Sequence, residues 1–161
     1  APRYTRPPGR IERVDNPESV LGKPDFRIGR LALWVQGWER EEAANVHDAN
    51  WLRITAWYAS KGARVLLSGG SLMTFDLEKW LEQLGGLELR RGGTAILAPI
   101  EPHLRVELTA ESLGHLALEV EITPDPATQE HRFREQLDPS ILPERIRELA
   151  GICRKFPVRN P

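Results

Sequence analysis

Asp48, Glu101 and His103 are the residues of this chain whose types best suit chemistry. Two carboxylates and an imidazole brought together by folding could relay a proton or hold a cation. Spacing alone does not unite them. In "VHDAN" His47 stands beside Asp48, and neighbours on an extended chain point apart. None of His47, His103, His115 and His131 lies four residues from another, and the single cysteine has no pair with which to share a metal. Cys153 falls on the apolar stripe of a helical stretch without a base beside it, so it reads as a buried, inert thiol. "LSGGSLM" lacks the lysine of a phosphate loop, and Ser68 and Ser71 lack the Gly-x-Ser-x-Gly elbow. Glu119 and Glu121 share the outward face of one strand, whereas acid–base work needs burial to separate two carboxyl pKa values. No catalytic, cofactor-binding or metal-binding residue is expected, and the chain is read as a non-enzyme.

The elements that position these groups are mainly strands. "DFRIGRLALWVQGW" becomes apolar on both faces, which predicts a covered strand. "NWLRITAWY" places Leu52, Ile54, Ala56 and Tyr58 on one face, and "GARVLLSG" follows at hairpin spacing after Ser60-Lys61-Gly62. "TFDLEKWLEQLGG" carries Leu77, Trp80, Leu81 and Leu84 at helical spacing, with Thr74 as its expected cap and Gly85 as its expected stop. "LELRRGGTAILAPI" reads as a hairpin turning at Gly92-Gly93, followed by the strands "HLRVELTA" and "HLALEVEI". "EHRFREQL" reads as a charge-guarded edge strand. In "LPERIRELAGIC", Pro143 starts a helix whose stripe is Ile146, Leu149, Ala150 and Cys153. The pattern predicts an α+β fold: a mainly antiparallel sheet or shallow sandwich with two packed helices, at about 74–84 and 143–153.

A chain of 161 residues can bury its own core, and its single cysteine permits no intrachain disulfide. No run approaches a membrane span, so a cytoplasmic protein is expected. Residues 1–24 hold five of the thirteen prolines and are read as an extended arm ahead of one domain, 25–161. Residues 1–35 carry seven Lys/Arg against four Asp/Glu, a sum of +3, and the remainder carries fifteen against nineteen, a sum of −4. The net charge of −1 predicts no general affinity for nucleic acid. Arg3, Arg6, Arg10 and Arg13 of the arm are the exception, although they read first as a solvated segment.

Several short marks occur in a particular order: Asp48-x-Asn50-Trp51-Leu52 opening a strand, Glu101-Pro102 between strands, Asp138 before Leu142, and a closing Phe156-Pro157-Val158-Arg159. In this the chain resembles, from about residue 26 to 159, the immunity proteins of the WapI type. The named member of that group neutralises a wall-associated, contact-delivered toxin with tRNA-cleaving activity. The resemblance implies a non-enzymatic partner-binding protein whose partner is a cognate toxin. The alternative is a small accessory module that contacts nucleic acid or another protein.

The contacts expected on that reading come from charge. Residues 36–49 carry Glu39, Glu41, Glu42 and Asp48 against Arg40 alone, with Trp38 as an aromatic anchor. Glu119 and Glu121 add acidic groups on the sheet face. Truncating Trp38 is then expected to weaken partner binding far more than folding. Asp48, Asn50, Trp51, Glu101 and Pro102 are read as structural. Pro102 cannot donate to a ladder, so Glu101-Pro102 marks a corner, with the Asn50 amide expected to serve the Glu101 carboxylate.

Overall fold

Leu52, Ile54, Ala56 and Tyr58 are all buried, and that alternation fixes the central strand of the first of two sheets. The computed structural model describes residues 16–161. In chain order the elements are α1 (Glu18–Leu21), β1 (Phe26–Ile28), β2 (Leu31–Trp38), α2 (Val46–Ala49), β3 (Trp51–Ser60), β4 (Ala63–Met73) and α3 (Thr74–Arg90). These are followed by β5 (Thr94–Leu97), β6 (Leu104–Ala110), β7 (Leu116–Ile122), β8 (Arg132–Leu137), a 3-10 turn (Pro139–Ile141) and α4 (Leu142–Lys155). Strands β1-β2-β3-β4 form one antiparallel sheet and β5-β6-β7-β8 a second, so the fold is α+β. The inner faces of both sheets and the apolar stripes of α3 and α4 share one core.

The first strand reading divides in two. A turn at Gly29-Arg30 folds β1 back on β2, so Phe26 pairs with Leu33 and Ile28 with Leu31 on the core face. Residues of opposite parity thus share one side. Gly29 has φ 54, and a Cβ there would stand 2.6 Å from Glu135 Oε2 and 2.9 Å from Leu118 Cδ2. The turn therefore seats directly on the second sheet. Glu135 accepts from the Arg30 amide (2.9 Å) and the Tyr58 hydroxyl (2.7 Å), while Tyr58 stacks on Phe133 with ring centroids 4.2 Å apart. Burial, then the Glu135 contact, pushes the Tyr58 hydroxyl pKa well up, so it remains a donor.

Ala32, Trp34 and Thr55 on the other face of the first sheet are buried too, as the doubly apolar pattern of β2 predicts. The Trp34 indole donates to Gly22 O (2.9 Å), so residues 16–24 lie against this face, and Glu18–Leu21 is a helical turn. Residues 1–15, with Arg3, Arg6, Arg10 and Arg13, lie outside the described residues.

Three local expectations are corrected. The strand expected at "GARVLLSG" does not end there: β4 continues through Met73, with a bulge where Ile54 faces Gly70 and Thr55 faces Ser68. Thr74 does not cap α3, because its hydroxyl donates to Phe156 O; Asp76 instead accepts from the Met73 amide at 2.8 Å. Gly85 does not stop α3, which runs through Gly85-Gly86 and "LELR" to a left-handed Arg91 at φ 51. The expected strand at 87–91 is thus helix, since Leu87 completes the buried stripe of Leu77, Trp80 and Leu84. The helix α4 starts at Leu142 with Pro143 in its first turn and buries Leu142, Leu149 and Ile152.

A Cβ on Gly85 would meet nothing within 4 Å. Gly85→Ala should therefore stabilise the fold by roughly 0.5–1 kcal/mol, because alanine loses less backbone entropy in a helix. Chemical denaturation checks this, and an unchanged or lowered midpoint would refute it.

Candidate functional site

The long 39–50 connection is built around one buried amide. Asn50 is 0% exposed. Its Nδ2 donates to Val46 O (2.6 Å) and Arg159 O (2.9 Å), and its Oδ1 accepts from Arg159 N (2.7 Å). Its own carbonyl accepts from Thr74 N (2.9 Å). Asn50 is therefore occupied, and the expectation that it serves Glu101 is corrected. Glu101 is exposed in the turn between β5 and β6, where Pro102 also lies, and His103 Nε2 approaches it at 3.9 Å. The corner itself is as expected.

Arg159 completes the arrangement. Its Nε donates to Ala49 O (2.8 Å), one terminal nitrogen to Glu41 O (2.8 Å), and the other to Arg40 O (2.7 Å) and Ala49 O. Its guanidinium carbon lies 4.0 Å from the Trp38 ring centroid, and Trp38 meets Phe156 edge-on at 5.5 Å. Trp38 is the last residue of β2, not a loop residue. A bulge between Val35 and Gly37 shifts the register by one, so Trp38 pairs with Leu52 and joins the core side. The indole is half-buried, and the free exposure expected of it is not what the structure shows.

Glu39, Glu41 and Glu42 are exposed, and none is ion-paired among the described residues. Glu39 accepts only a long bond from the Ser71 hydroxyl, at 3.5 Å. Asp48 differs, with Arg40 at 3.5 Å and the Asn45 amide at 3.0 Å. Glu39, Arg40, Asp48, Trp51, Ser71 and Glu101 line a cleft of about 160 Å³. Folding thus unites Asp48 with Glu101, but His103 points its Nδ1 at Thr123 O (3.2 Å) and does not line the cleft. Among the described residues no group of three His, Cys, Asp or Glu side chains could hold a metal ion.

Glu119 and Glu121 do face outward, beside an open groove of about 410 Å³ that Glu107, Glu111, Glu119 and Arg134 help to line. Their charges are answered locally. Arg134 Nε lies 2.9 Å from Glu119, and Arg132 lies 2.8 Å from Glu121 and 3.5 Å from Glu119. The Arg134 hydrogen bond, together with the charges of Arg132, Arg134 and Arg105, holds the Glu119 carboxyl below its usual range. The Glu119 carboxyl therefore stays ionised and is not poised to deliver a proton near neutral pH.

Among the described residues the candidate site is a surface: an exposed acidic loop beside a small cleft that Asp48 and Glu101 line and His103 does not. A family model described as the immunity protein WapI-like family matches residues 25–157. The chain belongs to this family. Comparison with curated proteins found no match. The family match spans Asp48, Asn50, Trp51, Glu101 and Pro102, and Arg159 stands two positions beyond it. Arg159 is the candidate-site residue whose place sequence reasoning missed: the closing Phe-Pro-Val-Arg run is visible, but its partners lie 109 to 119 positions away.

Two outcomes are expected. Trp38→Ala removes the ring between Phe156 and Arg159 and should cost about 2–3 kcal/mol of folding stability. Wild-type melting would show that the ring does not hold the loop to the core. At Cys153, burial and then the Glu78 charge push the thiol pKa up to about 11, with Arg154 opposing. The neutral thiol is favoured by the fold, so this stabilising contribution is complete below the unfolded thiol pKa and is lost as pH rises through about 11. Alkylation of folded protein should be slow at neutral pH and rise about tenfold per pH unit towards pH 10. A rate already at its plateau by pH 8 would overturn that placement.

Proposed function

We propose that this chain acts in the cytoplasm as an immunity protein that binds and neutralises a cognate toxin domain without performing chemistry. The family match over residues 25–157 carries the toxin-immunity role. The surface supports occlusion as its mode. Glu39, Glu41 and Glu42 lie exposed on a loop fixed to the body at both ends, and opposite potentials speed capture of a basic surface such as that of a nuclease. Preset carboxylates also avoid the ordering cost that a slack loop incurs on binding.

Within the proposed interface the contacts divide by charge state. Among the described residues Glu39, Glu41 and Glu42 have no ion-pair partner, and on this reading they meet the toxin directly. Trp38 supports the loop from beneath and contributes its exposed edge. Glu119 and Glu121, each tied to an arginine, form a secondary surface whose attraction is weaker because a partner must displace or accommodate Arg132 and Arg134.

Co-expression with the toxin domain encoded beside this chain should restore growth, and failure with every neighbouring toxin would remove the reading. Joint reversal of Glu39, Glu41 and Glu42 to lysine should leave melting within a few degrees of wild type. Association with that toxin domain should slow by about tenfold or more at low salt. Association at the wild-type rate would place the binding surface elsewhere.

A further inference from the structure

Arg159 stands within reach of the most acidic loop of the chain and takes none of its carboxylates. Every guanidinium nitrogen instead donates to a main-chain oxygen, at Arg40, Glu41 and Ala49. Among the described residues no carboxylate lies within ion-pair distance of it. The planar fork suits this use, because its donors diverge in one plane and can join carbonyls from two ends of a loop. The face of the same group lies over Trp38, and its backbone is held by Asn50 on both N and O. The cation is therefore fixed from beneath while its donors fix the loop from within.

We infer that Arg159 is the positioning residue of the acidic loop: it presets residues 39–49 through their backbone and so leaves the side chains of Glu39, Glu41 and Glu42 to a basic partner. The inference rests on reading that loop as the toxin-facing edge. It goes beyond that reading by assigning the loop's competence to a residue that need not touch the toxin. A cation meant to neutralise the loop would sit on a carboxylate; one meant to shape it would sit on carbonyls, as this one does. Asp48 shows the contrast, since Arg40 takes its carboxylate and it is withdrawn from the free set.

The test compares Arg159→Ala and Arg159→Lys with wild type by residue-resolved amide exchange in the free protein. The Asp48 and Ala49 amides, which bond to Asn45, report on the loop, and those of β6 and β7 report on the body. In Arg159→Ala the loop amides should exchange about tenfold faster while the body amides stay unchanged. Arg159→Lys keeps the charge but not the fork, and should show most of the same loosening. Loop exchange unchanged in Arg159→Ala, or full rescue by lysine, would overturn the inference, as would equal acceleration throughout the body.

Binding to the toxin domain that wild-type chain neutralises gives the second readout, with an expected loss of about tenfold in affinity for Arg159→Ala. The lysine reversal of Glu39, Glu41 and Glu42 is measured beside it. If that reversal abolishes binding while the loosened Arg159→Ala binds like wild type, positioning is refuted and the acidic edge stands. If the reversal leaves binding intact, the acidic edge fails on its own, whatever the exchange shows about Arg159.

Discussion

A buried amide whose polar atoms are all hydrogen-bonded holds the candidate-site end of this molecule together. Asn50 has no exposure to water, so each of its polar atoms must find a partner inside the protein. It finds them in α2, in segment 156–159 and in the first amide of α3, three pieces far apart in sequence. Loss of one partner would leave a polar group stranded, at about 1–3 kcal/mol each. The arrangement is thus cooperative: the start of β3, the start of α3 and the segment after α4 are placed by one side chain. Thr74 reinforces it by donating to Phe156 O, which brings Phe156 against Trp38.

That placement separates two kinds of charge on the surface. On the outer face of the second sheet, acid and base alternate across neighbouring strands: Arg105 faces Glu121, Glu119 faces Arg134, and Glu121 faces Arg132. Glu107 and Glu119 lie directly opposite each other, and this like-charge pair is tolerable because Arg105 and Arg134 each take one member. The face is polar but largely self-neutralised, so its field falls away quickly. On the 39–49 loop Arg40 pairs with Asp48 and Arg159 donates to the backbone, so among the described residues Glu39, Glu41 and Glu42 have no ion-pair partner. The field of Glu39, Glu41 and Glu42 therefore extends into solvent over about a Debye length, roughly 8 Å at physiological salt.

Periodic elements were legible in the sequence because burial on one face is a local property. β3 and β7 alternate in a way that allows one orientation, and each is found as the pattern predicts. The helix α4 forms as expected but is turned to bury Leu142, Leu149 and Ile152, with Ile146 and Cys153 only partly covered. Elements whose period is broken by backbone geometry were not legible. The Gly29-Arg30 turn and the bulge before Gly37 each reset parity, and the second moves Trp38 from the loop edge to the core side. Gly85-Gly86 suggested a helix stop, but the apolar stripe through Leu87 outweighs the cost of two glycines, roughly 2 kcal/mol together. Glu135 looks like one more surface charge in "FREQL", yet it shares the inner face with Phe133 because the Arg30 amide and the Tyr58 hydroxyl await it there. Of the candidate site, the acidic run was readable from composition. The clasp that shapes it was not, since nothing local joins Asn50 to Arg159.

On the proposed reading of the loop as the toxin-facing edge, the magnitude of loop ordering gives the clasp its value. Fixing the backbone of a flexible residue costs about 1–2 kcal/mol, so a slack loop of about ten residues would lose on the order of 10 kcal/mol on docking. Nanomolar binding is worth only about 12 kcal/mol in total, so a slack loop would consume most of it. Here folding bears that cost before any partner arrives. The guanidinium bonds, the Asn50 amide and the Trp38–Phe156 packing supply the compensation within the protein's own core. On the proposed reading, what remains for the partner is electrostatic attraction to carboxylates whose backbone is already set. Because the clasp bonds run through the main chain, the exposed side chains of residues 39, 41 and 42 can be substituted without removing any of them.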